Sequence, residues 1–174
     1  VFSAKVHAIP DASRQAKGMA IINLPGVQVE SGEVPVATIV LPDFEPGHYL
    51  IMATRRGIIK KTALEQFERV RSTGIIAITL EEGDELIAAE VTDGKRDVFL
   101  GTRDGLSIRF NEADVREIGR TGKGVIGMRL DEGNEVVGME IVRDDSTILT
   151  VTENGYGKRS TLDDYRSQGR GGKG

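Results

Sequence analysis

Apolar residues in this chain fall in short runs that return at a fixed interval. Ile75 to Leu80 is followed by the acidic turn Glu81-Glu82-Gly83-Asp84-Glu85 and then by Leu86 to Val91. Fifty residues on, Val125 to Leu130 is followed by Asp131-Glu132-Gly133-Asn134-Glu135 and then by Val136 to Val142. Runs of this length, rich in Val and Ile and closed by Gly or Asp, predict β-strands. No segment shows a helical period over helical length.

The polar punctuation repeats with the strands. Thr54-Arg55-Arg56-Gly57, Thr102-Arg103-Asp104-Gly105 and Thr152-Glu153-Asn154-Gly155 share a Thr-x-x-Gly frame whose glycines lie 48 and then 50 residues apart. A short strand with basic residues follows each: Lys60-Lys61, Arg109, and Lys158-Arg159. Asp104-Gly105 and Asn154-Gly155 predict tight hairpins with positive φ at both central residues. Thr62 with Glu65, Asn111 with Asp114 and Thr161 with Asp164 have the spacing that caps a single helical turn. Phe67, Val115 and Tyr165 hold equivalent places and are expected in the core, and Tyr156 is expected to pack within a strand.

A period near 50 residues with four strands in each is the pattern of a propeller blade. The expected fold is all-β and propeller-like, with about three and a half blades of four strands each. Val1 falls in mid-strand and Gly174 in mid-repeat, so residues 1–174 are expected to be one partial domain.

A second motif recurs in phase with the strands. Arg120-Thr121-Gly122-Lys123-Gly124 and Arg170-Gly171-Gly172-Lys173-Gly174 are offset by 50 residues. Arg14-Gln15-Ala16-Lys17-Gly18 fits the same frame, and Arg71-Ser72-Thr73-Gly74 is one residue shorter and lacks the Lys. Glycine lets a backbone lie against another surface, and Arg and Lys supply charges for phosphate. The formal net charge is −4, yet its sign alternates with the repeat. Basic excess follows each Thr-x-x-Gly and acidic excess follows each Arg-x-x-Lys-Gly. In a ring of blades the basic phases are expected to gather on one face, which suits a polyanion despite the negative total.

Several chemistries are excluded. With no Cys, the chain has no disulfide scaffold and no thiolate metal site, which fits a cytoplasmic setting. No apolar run approaches the ~20 residues of a spanning helix, so no membrane partner is expected. Gly169-x-Gly171-x-x-Gly174 matches a dinucleotide pattern as text but lacks its strand and helix context. His7 and His48 are isolated, no nucleophile stands with a base, and neither a catalytic residue nor a metal is expected.

Met52-Ala53-Thr54 with Gly57 and Lys60-Lys61-Thr62, Glu82-Gly83-Asp84-Glu85-Leu86, and Thr152 to Arg159 carry a family resemblance, and Gln168 to Gly174 match a hallmark heptapeptide. On these residues the chain resembles the C-terminal domain of the DNA gyrase A subunit over its whole length, and the heptapeptide resembles the gyrase A box. In that family the box usually lies in the first blade, whereas here it ends a later repeat. The resemblance implies a β-pinwheel, a disc whose blades exchange strands and whose basic perimeter wraps double-stranded DNA to support negative supercoiling. It also implies a bacterial, cytoplasmic ATP-dependent type II topoisomerase in which this stretch is non-catalytic. The rest of the A subunit, together with the gyrase B subunit, would be its partners in an A2B2 assembly. ATP and Mg2+ would serve the holoenzyme, with no cofactor in this stretch. The similar domain of topoisomerase IV generally lacks an intact box, so the heptapeptide favours gyrase, with topoisomerase IV as the alternative.

The expected DNA-binding set follows. Arg170 and Lys173 would contact phosphates, with Gln168, Gly169, Gly171, Gly172 and Gly174 shaping the close approach. Arg14, Lys17, Arg71, Arg120 and Lys123 would continue the path, and Lys60, Lys61, Arg109, Lys158 and Arg159 lie on the same phase. Two rival readings have weaker support. A protein-interaction propeller of the WD type should show Trp-Asp signatures, and the chain has no Trp. An enzyme propeller would need His or carboxylates converging on a channel.

Overall fold

The computed structural model describes residues 1–29 and 32–174. Among these, regular structure consists of nine strands and five single 3-10 turns. The strands are β1 (Tyr49–Thr54), β2 (Ile58–Ala63), β3 (Leu86–Thr92), β4 (Asp97–Thr102), β5 (Ser107–Asn111), β6 (Val125–Ile126), β7 (Val136–Ile141), β8 (Thr147–Val151) and β9 (Gly157–Thr161). They form three antiparallel sheets, ordered β3-β1-β2-β6, β5-β4-β7 and β8-β9.

The four strands of a blade do not come from one repeat, as the sequence pattern had implied. In the first sheet one repeat supplies the hairpin β1-β2 and the returning strand β3, and the next repeat supplies the fourth strand. Strand β6 belongs to the second repeat by sequence but pairs with β2 of the first, setting Ile126 opposite Ile58 and Val125 opposite Ile59. The third repeat reaches back the same way. Gln168 N–H donates to Arg109 O at 2.8 Å, matching Ile118 N–H to Lys61 O at 2.8 Å. Strand exchange of this kind is the pinwheel arrangement.

The N-terminal segment carries less regular structure than the later repeats. The described residues before β1 hold only the turns Val6–Ala8 and Ile21–Asn23 and no strand. Ile75 to Leu80, equivalent to Val125 to Leu130, likewise has no strand. Its backbone bonds are scattered, with Ile75 N–H donating to Val1 O at 2.9 Å and Thr79 N–H to Gly122 O at 3.2 Å.

Strand β1 is buried on both faces because neighbouring layers cover each side. Leu50 and Met52 pack with Leu64, Phe67 and Ala77, over which Leu41 and Phe44 lie. Ile51 and Ala53 point the other way, into a cluster with Ile59, Val98, Leu100, Phe110 and Val136 that joins the first sheet to the second. Alternate residues pointing to opposite faces, both covered, explain the continuous apolar run. Each fully buried aliphatic or Phe side chain contributes about 1.5–3 kcal/mol of transfer energy.

Local features depart from expectation in three places. The hairpin glycines Gly105 and Gly155 have φ of 85° and 82°, but Asp104 and Asn154 do not have positive φ. Gly105 N–H to Thr102 O and Gly155 N–H to Thr152 O close these turns instead. Asn111 caps its turn by accepting from Ala113 N–H at 2.9 Å, and Asp164 accepts from Thr161 N–H at 3.2 Å. Thr62, however, donates to Ile118 O of the next repeat at 2.8 Å, and its turn begins one residue later. Tyr156 lies outside β9 and is 79% exposed. Of the repeated trio, Phe67 and Val115 are buried, while Tyr165 is half-buried with its ring edge-on to Phe99 at 5.0 Å.

Basic residues bolt the exchanged segments in place. Lys60 is fully buried, and its Nζ donates to Ala77 O at 2.6 Å and to Arg120 O of the next repeat. Lys61 Nζ donates to Glu112 O at 2.7 Å, and Arg109, four residues after its glycine as Lys61 is, donates to Leu162 O at 2.9 Å. Both acceptors are the first residue of the following repeat's 3-10 turn. At the contact with β6, Gly124 has φ +103°, and a Cβ there would lie 2.7 Å from Ile59 O; Gly174 has φ +107°, with Ser107 O at 2.8 Å.

Gly124→Ala is therefore expected to lower stability by on the order of 2 kcal/mol or more. Gly138→Ala, where a Cβ meets nothing within 4 Å, should not; equal thermal midpoints for the two variants would refute the close-approach argument. Lys60 supplies a pH test. Burial and then the nearby Arg120 charge lower its pKa from 10.5 to about 8. Below about pH 8 folded and unfolded chains both hold the proton. Between about 8 and 10.5 only the unfolded chain holds it, so stability gains from this group as pH rises through that window. Denaturant titrations at pH 7 and pH 10 should show this gain over Lys60→Met; parallel profiles would refute it.

Candidate nucleic-acid interface

Each Arg-x-x-Lys-Gly motif forms a loop because the chain outruns the strand beside it. Ile118 bonds to Lys61 and Val125 lies opposite Ile59, so Gly119 to Gly124 passes while β2 advances two residues. The loop is tethered to the preceding repeat. Thr79 N–H donates to Gly122 O at 3.2 Å, and Thr79 Oγ1 to Thr121 O at 2.7 Å. In the next copy Arg129 N–H donates to Gly172 O at 2.8 Å, Gly171 N–H donates to Gly127 O at 2.7 Å, and the Arg129 guanidinium donates to Gly171 O. The close approach at Gly124 and Gly174 is thus to the neighbouring sheet of the same chain.

The cations expected from the sequence divide into two groups. Lys60, Lys61 and Arg109 turn inward onto carbonyls, and Asp97 pairs with Arg109 at 2.8 Å. Arg170 also engages its neighbour, donating from Nε to Asp114 O at 3.1 Å and from Nη1 to Ile126 O at 2.6 Å. Lys60 and Lys61 are buried and turned away from a ligand, whereas Arg170 meets exposed carbonyls and keeps further N–H groups free.

The second group faces solvent. Arg14, Lys17, Arg71, Lys158 and Arg159 are exposed, Arg120 is half-buried, and none has an ionic partner among the described residues. Lys123 and Lys173 are also exposed, but each is paired: Lys123 with Glu81 at 3.2 Å and Lys173 with Asp131 at 2.6 Å. Gln168 and Gly169 are exposed beside them, while Gly171 is buried and Gly172 half-buried. Two exposed ion pairs thus join the basic loop of one repeat to the acidic turn of the one before.

Three exposed arginines were missed in the sequence. Arg116 and Arg166 follow the 3-10 turns of the second and third repeats, four residues before the arginine of each loop, and Arg69 follows the turn of the first. None has a side-chain partner among the described residues. Their signal was available, since Arg116 and Arg166 differ by the same 50 residues as the loops themselves. No three His, Cys, Asp or Glu side chains group to hold a metal, and no helix is long and apolar enough to cross a membrane, among the described residues.

Comparison with known proteins agrees with this architecture. A family model described as "DNA gyrase C-terminal domain, beta-propeller" matches residues 1–31, 48–93, 96–143 and 146–174. The DNA gyrase A subunit of Haloquadratum walsbyi is 46% identical over 127 residues, covering 71% of this chain and 15% of that protein. Its counterpart in Halalkalibacterium halodurans is 47% identical over 121 residues, covering 70% and 14%. The chain thus spans about one seventh of the length of these relatives. Among solved structures, the C-terminal domain of DNA topoisomerase IV aligns with a TM-score of 0.88 at 30% identity, covering 97% of this chain and 52% of the other. A DNA gyrase A C-terminal domain aligns with a TM-score of 0.70 at 32% identity, covering 76% and 44%. With its family model matched across nearly all of its repeats and its strands exchanged between blades, this chain belongs to the DNA gyrase C-terminal domain family of β-propellers.

Proposed function

We propose that this chain is a surface on which double-stranded DNA is wrapped without regard to sequence, as part of a DNA gyrase A subunit. The observation that carries the reading is the repetition of exposed, unpaired arginine beside the motif loop, Arg116 and Arg166 at the same register of successive blades. Equal spacing of cations from blade to blade suits a ligand whose charge is itself periodic. Phosphate contacts fix position and carry no sequence information.

The proposed contact set is Arg69, Arg71, Arg116, Arg120, Arg166, Lys123 and Lys173, with Arg14 and Lys17 extending it, while Lys158 and Arg159 hold the places of Lys60 and Lys61 in the repeat. Lys60, Lys61 and Arg109 instead hold the blades that present it, and Arg170 both braces the preceding repeat and keeps N–H groups free for phosphate. Strongly bending 20–30 bp costs about 1–6 kcal/mol, so several weak contacts must act together. Strand passage driven by ATP and Mg2+ would belong to the rest of the A subunit, together with the gyrase B subunit, in an A2B2 assembly in the bacterial cytoplasm. The intact heptapeptide Gln168 to Gly174 supports gyrase over topoisomerase IV.

Replacing Arg116 and Arg166 together by Ala is expected to weaken duplex binding and make the log–log salt slope shallower by about 2, with the melting temperature unchanged. Arg170→Ala is expected to lower the melting temperature as well, since it releases two carbonyls of the preceding repeat. An unchanged slope in the double variant would remove Arg116 and Arg166 from the contact set.

A further inference from the structure

The ion pairs of the loop lysines are a repeated device. Lys123 with Glu81 and Lys173 with Asp131 are offset by 50 residues at both ends. In each, the lysine of one repeat reaches the first residue of the preceding repeat's acidic turn. The adjacent Glu82 and Glu132, equally acidic and exposed, take no partner among the described residues. The pairing is thus set by register and not by general attraction between a basic loop and an acidic turn.

We propose that Glu81 and Asp131 are built-in phosphate surrogates, each holding the loop lysine of the next repeat until a DNA phosphate displaces it. The proposal rests on the DNA-wrapping reading. A carboxylate and a phosphodiester offer a compact ammonium the same chemistry, anionic oxygens at hydrogen-bond distance. The exchange is easy because both partners are exposed, with the side chains of Lys173 and Asp131 at 66% and 61% of full exposure, and such pairs contribute little stability. Only the side chain needs to move. The loop backbone stays held by Thr79 in one repeat and by Arg129 in the other.

This arrangement gives the lysines a different task from the arginines. Unpaired Arg116 and Arg166 attract DNA from the outset. Lys123 and Lys173 are neutralised in the free chain and engage only where a phosphate comes close enough to replace the carboxylate. The displaced carboxylate then stands beside the duplex and opposes shallow contact, so the lysines favour closely wrapped DNA over transient touching.

A double-mutant cycle on the full chain tests this, using a long duplex at fixed moderate salt. Asp131→Asn should raise affinity about two- to fivefold more than the charge-matched control Glu132→Gln. That excess should vanish when Lys173→Ala is already present. Glu81→Gln against Glu82→Gln, with Lys123→Ala, should repeat the pattern. Equal gains from the paired and unpaired acids, a gain that persists without the lysine, or a loss of affinity in Asp131→Asn would each overturn the surrogate role while leaving DNA binding intact. No duplex binding by the unaltered chain at low salt would overturn the DNA-wrapping reading and the surrogate role with it.

Discussion

Every hairpin in this chain leaves one strand with an open edge, and the structure is organised around closing it. An exposed edge presents unpaired amides and carbonyls that invite association. Here the next repeat closes the edge, as β6 does for β2. The consequence is a chain of mutual dependence in which each blade is complete only when its successor is folded against it. Stability in such an array is carried by the interfaces between neighbours as much as by the units. In the N-terminal segment there are turns but no strand among the described residues, and Leu41 and Phe44 pack against the first sheet.

The same constraint decides what the basic residues do. Exchanged segments bring carbonyl groups against β2 and β5 that need donors, because a buried unsatisfied carbonyl is costly. Lys60, Lys61 and Arg109 supply them. Long side chains with several donors suit the task, since they cross from one repeat to the next while their stems remain in apolar surroundings. The cations left for a ligand are those that the interfaces do not consume, and they sit on the loops and turns that exchange places beside each sheet. Buried cations that brace the interfaces and exposed cations that remain open thus arise from a single repeated sequence pattern.

The placement of acidic turns completes this division. Glu81 and Asp131 lie where the next repeat's lysine arrives, so the negative phase of each repeat tempers the positive phase of its neighbour. A chain of net charge −4 can in this way present a polyanion with a graded surface, open arginines first and guarded lysines behind. Gradation of that kind favours a ligand that touches many blades at once over one that touches a single loop.

The repeat period, the strand-forming runs, the glycine-closed hairpins and the all-β architecture were legible in the sequence, because each depends on spacing within one repeat. Ile51 and Leu50 read as strand residues whatever lies beside them, and the 50-residue offset of Arg120 and Arg170 is visible without coordinates. What tertiary structure alone decided is everything that depends on the neighbour. Val125 and Ile126 could not reveal that they pair with the preceding repeat, since a hydrogen-bond partner so distant along the chain leaves no local trace. Lys60 and Lys158 occupy the same place in the repeat, yet the first is fully buried and the second exposed. Lys60 is buried because Arg120 of the next repeat folds over it, and a charge's surroundings, unlike its position in a pattern, exist only once the chain has packed.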